Sequence, residues 1–251
     1  MSLTPERKEI RMKDGKFVLG LMKPSTAGRG EGGAELQKML PANVTIASVA
    51  LGIRDLVASQ LSAALSRIET AAGELAAMNA DVITMGGTPP VVFGGYGFDK
   101  TIIQRIGKAT TIPATTSQTS AVEAIRLFGA KKIVVVTPFQ DDVNRLIVQF
   151  MTASGFEIGS LQTVNAPFEE FPKIPLAQSY ELALKAVKAA PDTQCIWIPC
   201  SAWPMSENIE PLEKQTGIPV VASTQSEVWG ALRLMGIKTA ITGYGRLFRE
   251  H

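Results

Sequence analysis

The chain has 251 residues, 45 % of them hydrophobic and 19 % charged, and its formal net charge at pH 7 is +2. This length predicts one large domain or two small lobes, and the apolar fraction is enough for an ordinary core. The near-neutral charge gives no electrostatic basis for binding nucleic acid or a membrane, so we expect neither partner. We also expect no membrane-spanning helix, because the longest apolar stretch without charge, residues 82–98, contains two prolines and five glycines.

Short apolar runs alternate with helical patterns along the chain. The runs are continuous rather than alternating, which is typical of strands buried on both faces of a parallel sheet. Two longer segments, residues 59–78 and 176–190, carry apolar residues at helical spacing, which predicts helical structure there. This alternation predicts an α/β fold. The predicted strands lie at residues 17–22, 45–49, 82–85, 133–136 and 196–198.

The second half of the chain repeats part of the first. Residues 125–131 and 232–238 are similar in sequence and lie about half a chain length apart, with matching glycines at Gly129 and Gly236. Each copy predicts a helix, a glycine C-cap and a following strand, which in the second copy is residues 239–242. The likeness is either a chance match of the turn and cap residues that are common in α/β folds or, as we favour, the trace of a duplicated unit.

A duplication predicts two pseudo-symmetric, Rossmann-like lobes, each a parallel sheet flanked by helices. We assign residues 17–129 to the first lobe, with residues 225–251 packing back on it, and residues 130–224 to the second. The active site is expected in the cleft between the lobes, where the carboxyl ends of the strands face each other.

Histidine and cysteine are both rare. The one histidine, His251, is the last residue, which excludes a Ser-His-Asp triad, a Cys-His dyad and a histidine-based zinc site. The two cysteines, Cys195 and Cys200, are predicted on opposite faces of one strand and cannot form a disulfide with each other. Two free thiols suit a reducing cytoplasm, and we predict no metal site.

The two predicted strands at residues 82–85 and 196–198 both run into small residues and prolines. The duplication pairs Gly87, after the first, with Cys200, after the second, across the cleft. Cys200 is either a small core residue or a functional thiol, and its place at a strand carboxyl end favours function. A helix capped by Ser206 is predicted to follow it. Cys195 begins its strand and is interpreted as a packing residue.

Three other patterns have a structural explanation beside a functional one. Residues 28–33 fit G-x-G-x-x-G, but no tight turn precedes them and no acidic residue closes the second strand, so a glycine loop over the cleft is favoured over a nucleotide site. Asp141 and Asp142 suit the first turn of a helix better than a cation site. The hydroxyl-rich residues 115–120 and 222–226 either cap helices or hold a substrate carboxylate.

Four runs resemble a known superfamily. They are Met-Gly-Gly-Thr at 85–88, Asp-Asp-Val-Asn at 141–144, Pro-Cys-Ser at 199–201 and Gly-Tyr-Gly-Arg-Leu-Phe at 243–248. With two lobes and a cleft cysteine, the chain resembles the aspartate/glutamate racemase superfamily from residue 17 to residue 248. It is most similar to the arylmalonate decarboxylases and less so to the maleate cis-trans isomerases.

The resemblance implies a mechanism. Two-base members of the superfamily carry one cysteine in each lobe, whereas here Gly87 stands at the first position and only Cys200 remains, as in arylmalonate decarboxylases. Such an enzyme removes carbon dioxide from an aryl- or alkyl-substituted malonate without a cofactor, and Cys200 would protonate the enediolate. Thr88 and the backbone N–H groups of Cys200 and Ser201 would hold its oxygens. The substrate-binding residues implied are Pro24, Ser25, Gly87, Thr88, Pro89, Phe139 and Ser201.

Two departures leave the activity open. The decarboxylases carry a serine where this chain has Pro89 and a tyrosine where it has Phe139, so two hydroxyl groups are lost. One oxyanion donor is worth roughly 10²–10³ in rate. The alternatives are a decarboxylase for another diacid, a maleate isomerase or racemase-like enzyme for a small carboxylic acid, and a dicarboxylate-binding protein without catalysis.

Overall fold

The computed structural model describes residues 15–25, 32–203 and 205–251. Within them, eight strands form two four-stranded sheets, and every adjacent pair of strands is parallel. This confirms the predicted α/β fold with two similar sheets. The first sheet contains β1 (Phe17–Ser25), β2 (Val44–Ile53), β3 (Val82–Met85) and β4 (Ala114–Thr116). The second contains β5 (Lys132–Thr137), β6 (Glu157–Thr163), β7 (Cys195–Ile198) and β8 (Val220–Ala222).

The two sheets have the same topology. The first has the order β2-β1-β3-β4 and the second β6-β5-β7-β8, so each strand of one half has its counterpart in the other. This repeated order agrees with the sequence repeat. The exact lobe boundaries, residues 17–129 with 225–251 and residues 130–224, stay a prediction.

Helices connect the parallel strands, as crossover connections require. No helix in the described ranges is long and apolar enough to cross a membrane. The helices of the first half are α1 (Gly32–Lys38), α2 (Ala58–Leu65), α3 (Ile68–Ala77), α4 (Thr88–Phe93), α5 (Phe98–Thr110) and α6 (Ser117–Leu127). Those of the second half are α7 (Asp141–Ala153), a 3₁₀ helix (Phe168–Lys173), α8 (Leu176–Ala189), α9 (Ser206–Thr216), α10 (Ser223–Leu234) and α11 (Arg246–Glu250).

The first sheet is buried on both faces, which explains its continuous apolar runs. Leu19 and Leu21 of β1 belong to a core cluster that also contains Ile133 of β5, so the two halves share one core. Met22 of β1 packs instead with Ile83 of β3 in a second cluster. Because successive side chains of a strand point to opposite faces, neither face of this sheet is left for solvent.

The helical segment predicted over residues 59–78 is confirmed as helical, and it is divided into two helices, α2 and α3. The chain leaves helix α2 at Ser66 and Arg67 before α3 begins. The Ser66 hydroxyl donates to the carbonyl oxygen of Ala63 (2.7 Å), and Arg67 Nη1 donates to the carbonyl oxygen of Ala50 in β2 (3.0 Å). A serine that bonds to its own helix backbone competes with helix continuation, and helical periodicity does not register this break.

The predicted strand at residues 239–242 is wrong. These residues belong to neither sheet and are mostly exposed. The Ile241 N–H donates to the carbonyl oxygen of Phe248 (3.4 Å) instead of to a neighbouring strand. In the first repeat the equivalent residues open the second sheet, whereas here no further sheet exists in the described chain for them to join.

The C-terminal Gly-Tyr-Gly-Arg-Leu-Phe run is held by α9. Glu210 accepts hydrogen bonds from the Gly243 N–H (3.1 Å) and from Arg249 Nη1 (2.7 Å). Glu213 accepts from the Arg246 N–H (2.8 Å). Two carboxylates of one helix thus fix the conformation of this run.

The repeated helices α6 and α10 pack against each other between the two sheets. Gly230 of α10 faces Ser120 of α6, and a Cβ at Gly230 would lie 2.2 Å from the Ser120 Oγ and 2.8 Å from its Cβ. The Ser120 hydroxyl is itself hydrogen-bonded to Thr115 Oγ1 (3.0 Å). The absence of a side chain at Gly230 therefore allows α6 and α10 to approach this closely.

We predict that Gly230→Ala lowers the free energy of unfolding by about 1–3 kcal/mol, because the added methyl group overpacks this crossing. Gly73→Ala is the control, because Gly73 lies exposed inside α3 with nothing within 4 Å of its added Cβ. It should raise stability by up to about 1 kcal/mol through helix propensity. Urea unfolding of both variants measures the difference, and equal stability of the two would contradict the close approach.

Candidate active site

A cavity of about 400 Å³ lies where the strands β1, β3, β5 and β7 end. This is the edge at which ligands bind in open parallel sheets. Each of these strands is followed by a short segment that lines the cavity, so residues distant in sequence meet there. All eight residues predicted for the site line it: Pro24, Ser25, Gly87, Thr88, Pro89, Phe139, Cys200 and Ser201.

Gly87 cannot carry a side chain without strain. Its φ of +86° is a conformation that favours glycine, and a Cβ there would lie 2.4 Å from the Pro24 Cγ. Gly87 follows β3 as Cys200 follows β7, and both line the same cavity. At these two matching positions the cavity therefore has a thiol from one half and bare backbone from the other.

The Cys200 thiol is protonated at neutral pH. Burial raises its pKa to about 12, although backbone N–H groups of Ala202 and Trp203 hydrogen-bond to the sulfur and favour the thiolate. The charge of Glu35 raises the pKa further. The side chain is only 5 % exposed, and that exposure is to the cavity. The arrangement suits a proton donor better than a nucleophile.

Cys195 has a different environment. It is the first residue of β7, lies in the core and is fully buried, and its pKa is raised mainly by burial. Both cysteines are free, as predicted. Cys195 does not line the cavity, in agreement with its interpretation as a packing residue.

The Asp-Asp-Val-Asn run holds Phe139 in the cavity wall. Asn144 accepts a hydrogen bond from Thr137 Oγ1 (2.7 Å) at the end of β5, and its Nδ2 donates to the carbonyl oxygen of Phe139 (2.8 Å). Asp141 and Asp142 occupy the first turn of α7, as predicted. The Asp-Asp-Val-Asn run therefore contributes to the site indirectly, because it fixes the loop that carries Phe139.

Two further phenylalanines, which the sequence analysis did not identify, complete an aromatic wall. The Phe139 ring packs edge-on against Phe171, and Phe171 packs edge-on against Phe168, each at 5.4 Å between centroids. Phe168 lines the cavity beside Phe139. Both belong to the 3₁₀ helix after β6, a segment without strong periodicity in the sequence.

Helix α1 follows β1 in the chain and contacts elements of the second half. Its Leu36 lines the cavity, and its Glu35 accepts hydrogen bonds from the Ser206 N–H (2.9 Å) and the Ser206 hydroxyl. Ser206 was predicted to cap α9. It is instead the first residue of that helix, and its side chain donates to Glu35. Of the glycine loop predicted over the cleft, residues 28–31 lie outside the described residues, and Gly32 already belongs to α1.

The hydroxyl-rich strand ends differ between the halves. Thr116 caps α6, and its side chain accepts a hydrogen bond from the Thr119 N–H (3.0 Å), which is the capping alternative of the sequence analysis. At the matching end of β8 the cap position is Ala222, whose N–H donates to Gln225 Oε1 (3.0 Å). Thr224 in the first turn of α10 lines the cavity.

Two charged residues of the cavity were missed. Lys23, near the end of β1, is half-buried and forms no ion pair with any described residue. Glu227 of α10 is 2 % exposed, accepts a hydrogen bond from Thr84 Oγ1 (3.1 Å), and burial raises its pKa to about 7. Glu227 directly follows the hydroxyl-rich residues 222–226, and this position could have identified it as a candidate site residue. Across the described ranges no cluster of His, Cys, Asp and Glu could hold a metal ion.

Comparison with known proteins gives consistent results. The family model for arylmalonate decarboxylase matches residues 19–248. Arylmalonate decarboxylase of Bordetella bronchiseptica is 28 % identical over 236 residues, which are 93 % of this chain and 97 % of that protein. Maleate isomerase of Pseudomonas putida is 22 % identical over 84 % of this chain and 86 % of its own length.

Solved structures agree with the sequence comparison. The crystal structure of a liganded double mutant of arylmalonate decarboxylase superimposes with a TM-score of 0.87 at 25 % identity, covering 94 % of this chain and all of that one. The match of the family model over most of the chain and the shared two-sheet fold lead to one conclusion. This chain belongs to the arylmalonate decarboxylase family, within the group that also includes the maleate isomerases.

Proposed function

We propose that this protein is a cofactor-independent decarboxylase of malonate-like dicarboxylic acids that carry an aryl or alkyl substituent. The observation that carries the proposal is a single buried thiol, Cys200, in a cavity that Gly87 lines at the matching position of the other half, with the thiol pKa raised by burial. One proton donor on one side of the cavity suits one-sided protonation of a carbanion. A racemase that removes and returns a proton on opposite faces needs a second group where Gly87 stands.

The lining of the cavity supports this class of substrate. A volume of about 400 Å³ lies within the range of small-molecule sites, roughly 300–1,000 Å³. Apolar side chains that include Leu21, Leu56 and Phe168 would contact the substituent. Lys23, which has no ion-pair partner among the described residues, and Thr88 would attract and hold the carboxylates.

The chemistry needs no external redox agent. The bond between the central carbon and one carboxylate breaks, carbon dioxide leaves, and the electron pair stays on the carbon as an enediolate. Hydrogen-bond donors aimed at the enediolate oxygens lower the barrier, and apolar walls destabilise the departing carboxylate. The Cys200 thiol then gives its proton to the carbon, and the thiolate regains a proton from water.

Maleate isomerases are also similar to this chain, so their activity is the alternative enzyme function. A cysteine-adding isomerase requires a thiolate, whereas burial raises the pKa of Cys200 to about 12. A protein that binds dicarboxylates without turnover is the non-enzymatic alternative. The two buried free thiols suit the reducing, cytoplasmic location that we propose for the protein.

The test is an NMR assay in deuterated water with a panel of substituted malonates, maleate and aspartate. We predict cysteine-dependent loss of carbon dioxide and deuterium on one face of the product. Cys200→Ala should lower kcat by about 10²–10⁴, the usual contribution of a positioned acid, without unfolding the protein. Cys195→Ala is the matched control, because it removes a buried thiol outside the cavity and should keep the activity.

Other outcomes would contradict the proposal. Full turnover by Cys200→Ala would remove the cysteine from the mechanism. Conversion of maleate, or exchange at the α-carbon of aspartate without loss of carbon dioxide, would favour the isomerase or racemase. Tight dicarboxylate binding without turnover, unaffected by Cys200→Ala, would favour the binding protein.

We predict that the folded protein resists alkylation by iodoacetamide at pH 8. With its pKa raised to about 12, Cys200 has a thiolate fraction about a thousandfold below that of a free thiol. Unfolding in urea should make both cysteines react, and mass spectrometry counts the labels. Rapid labelling of folded wild type that is absent in Cys200→Ala would contradict a protonated thiol.

A further inference from the structure

Glu227 is a buried carboxyl group that the proposed mechanism does not use. It lines the cavity and is 2 % exposed. Thr84 Oγ1 donates to its Oε1 (3.1 Å), and among the described residues Oε2 accepts no hydrogen bond and no lysine or arginine pairs with the carboxyl group. A buried carboxyl group without a cation is costly when ionised, so its retention in this cavity calls for an explanation.

The space for this carboxyl group is made by Gly86. A Cβ at Gly86 would lie 3.1 Å from Glu227 Oε1 and 3.3 Å from Oε2, so any larger residue there would crowd both oxygens. Gly86 directly precedes Gly87 and Thr88, at the end of β3 where the cavity opens. The acid of the second repeat is therefore packed over the strand end of the first.

Glu227 is mostly neutral below pH 7 and about half ionised at pH 7. Burial raises its pKa to about 7, the Thr84 hydrogen bond lowers it, and no charged side chain contributes. Strands β3, β4 and β8, which pack against α10, contain no titratable side chain. The titratable groups on α10 itself, on the other elements packed against it and in the cavity are Arg233, Glu35, Lys38, Glu123, Arg126, Arg246, Arg249, Glu250, Lys23 and Cys200.

We propose that the neutral Glu227 carboxyl group donates a hydrogen bond to a carboxylate oxygen of the substrate and so helps to determine specificity for an anionic ligand. The inference rests on the proposed function, which requires such a ligand. An ionised Glu227 would repel a dicarboxylate, whereas a carboxylic acid kept neutral by its surroundings is an effective donor. It would supply a donor in the cavity in which Pro89 and Phe139 replace the hydroxyl residues of the decarboxylases.

The first test is the binding of malonate, measured by calorimetry at pH 6 and pH 8. If binding needs the protonated acid with a pKa of about 7, wild type should bind malonate about tenfold more weakly at pH 8. Glu227→Gln should bind equally at both pH values, because its amide donates at every pH, and it also reports any effect of malonate's own ionisation. Glu123→Gln is the matched control, because Glu123 has a raised pKa but lies outside the cavity, and it should keep the tenfold change.

Each other outcome overturns a defined claim. A tenfold change that persists in Glu227→Gln, or loss of malonate binding by that variant at both pH values, would overturn the donor role. Failure of every protein, wild type included, to bind malonate or any substituted malonate would overturn the proposed function itself.

A second measurement tests the neutral acid without a ligand. The pKa of Glu227 is higher in the folded than in the unfolded protein, so its contribution to stability is present at low pH and is lost as pH rises through about 7. The urea midpoint of wild type should therefore fall between pH 5 and pH 8 relative to that of Glu227→Gln. Parallel curves for the two proteins would overturn the inference even if malonate binds.

Discussion

Burial of two titratable side chains, Cys200 and Glu227, is the constraint on which this site depends. Burial raises the pKa of the Cys200 thiol and of the Glu227 carboxyl group, although both accept hydrogen bonds that favour their ionised forms. Desolvation prevails in each case because neither group has a cation beside it to compensate for the loss of water. The cavity thus has a thiol that is protonated at neutral pH and a carboxyl group that is mostly protonated below pH 7, from a chain whose one histidine is its last residue. A reaction that passes through a multiply charged anion has use for such donors.

The repeated topology brings these groups together. Because both sheets have the same strand order, β3 and β7 end at matching places, and Gly87 and Cys200 line one cavity. A second contact lies at Gly86, where the absence of a side chain leaves room for the Glu227 carboxyl group of α10. Neither half alone has the complete site. The close crossing of α6 and α10 at Gly230 brings these two repeated helices together.

Much of this was predictable from the sequence, and the limits have physical causes. The parallel strands were visible because their apolar runs are continuous, and Cys200 was visible because it follows a buried strand, whereas Thr88 was implied only by the family resemblance. The cavity contact between Gly86 and Glu227 was not, since it joins residues far apart in the chain through packing that no local pattern encodes. The break at Ser66 depends on a side-chain hydrogen bond, and residues 239–242 have the composition of a strand without a sheet to join.

The protonation state of Cys200 is the central claim, and infrared spectroscopy tests it most directly. The S–H stretching band of this residue is the difference between the spectra of wild type and Cys200→Ala, which leaves the signal of Cys195 unchanged. With the thiol pKa raised by burial to about 12, the band should persist unchanged from pH 6 to pH 10. Its disappearance by pH 8 would show a thiolate in the resting protein and would contradict the assignment of Cys200 as the proton donor.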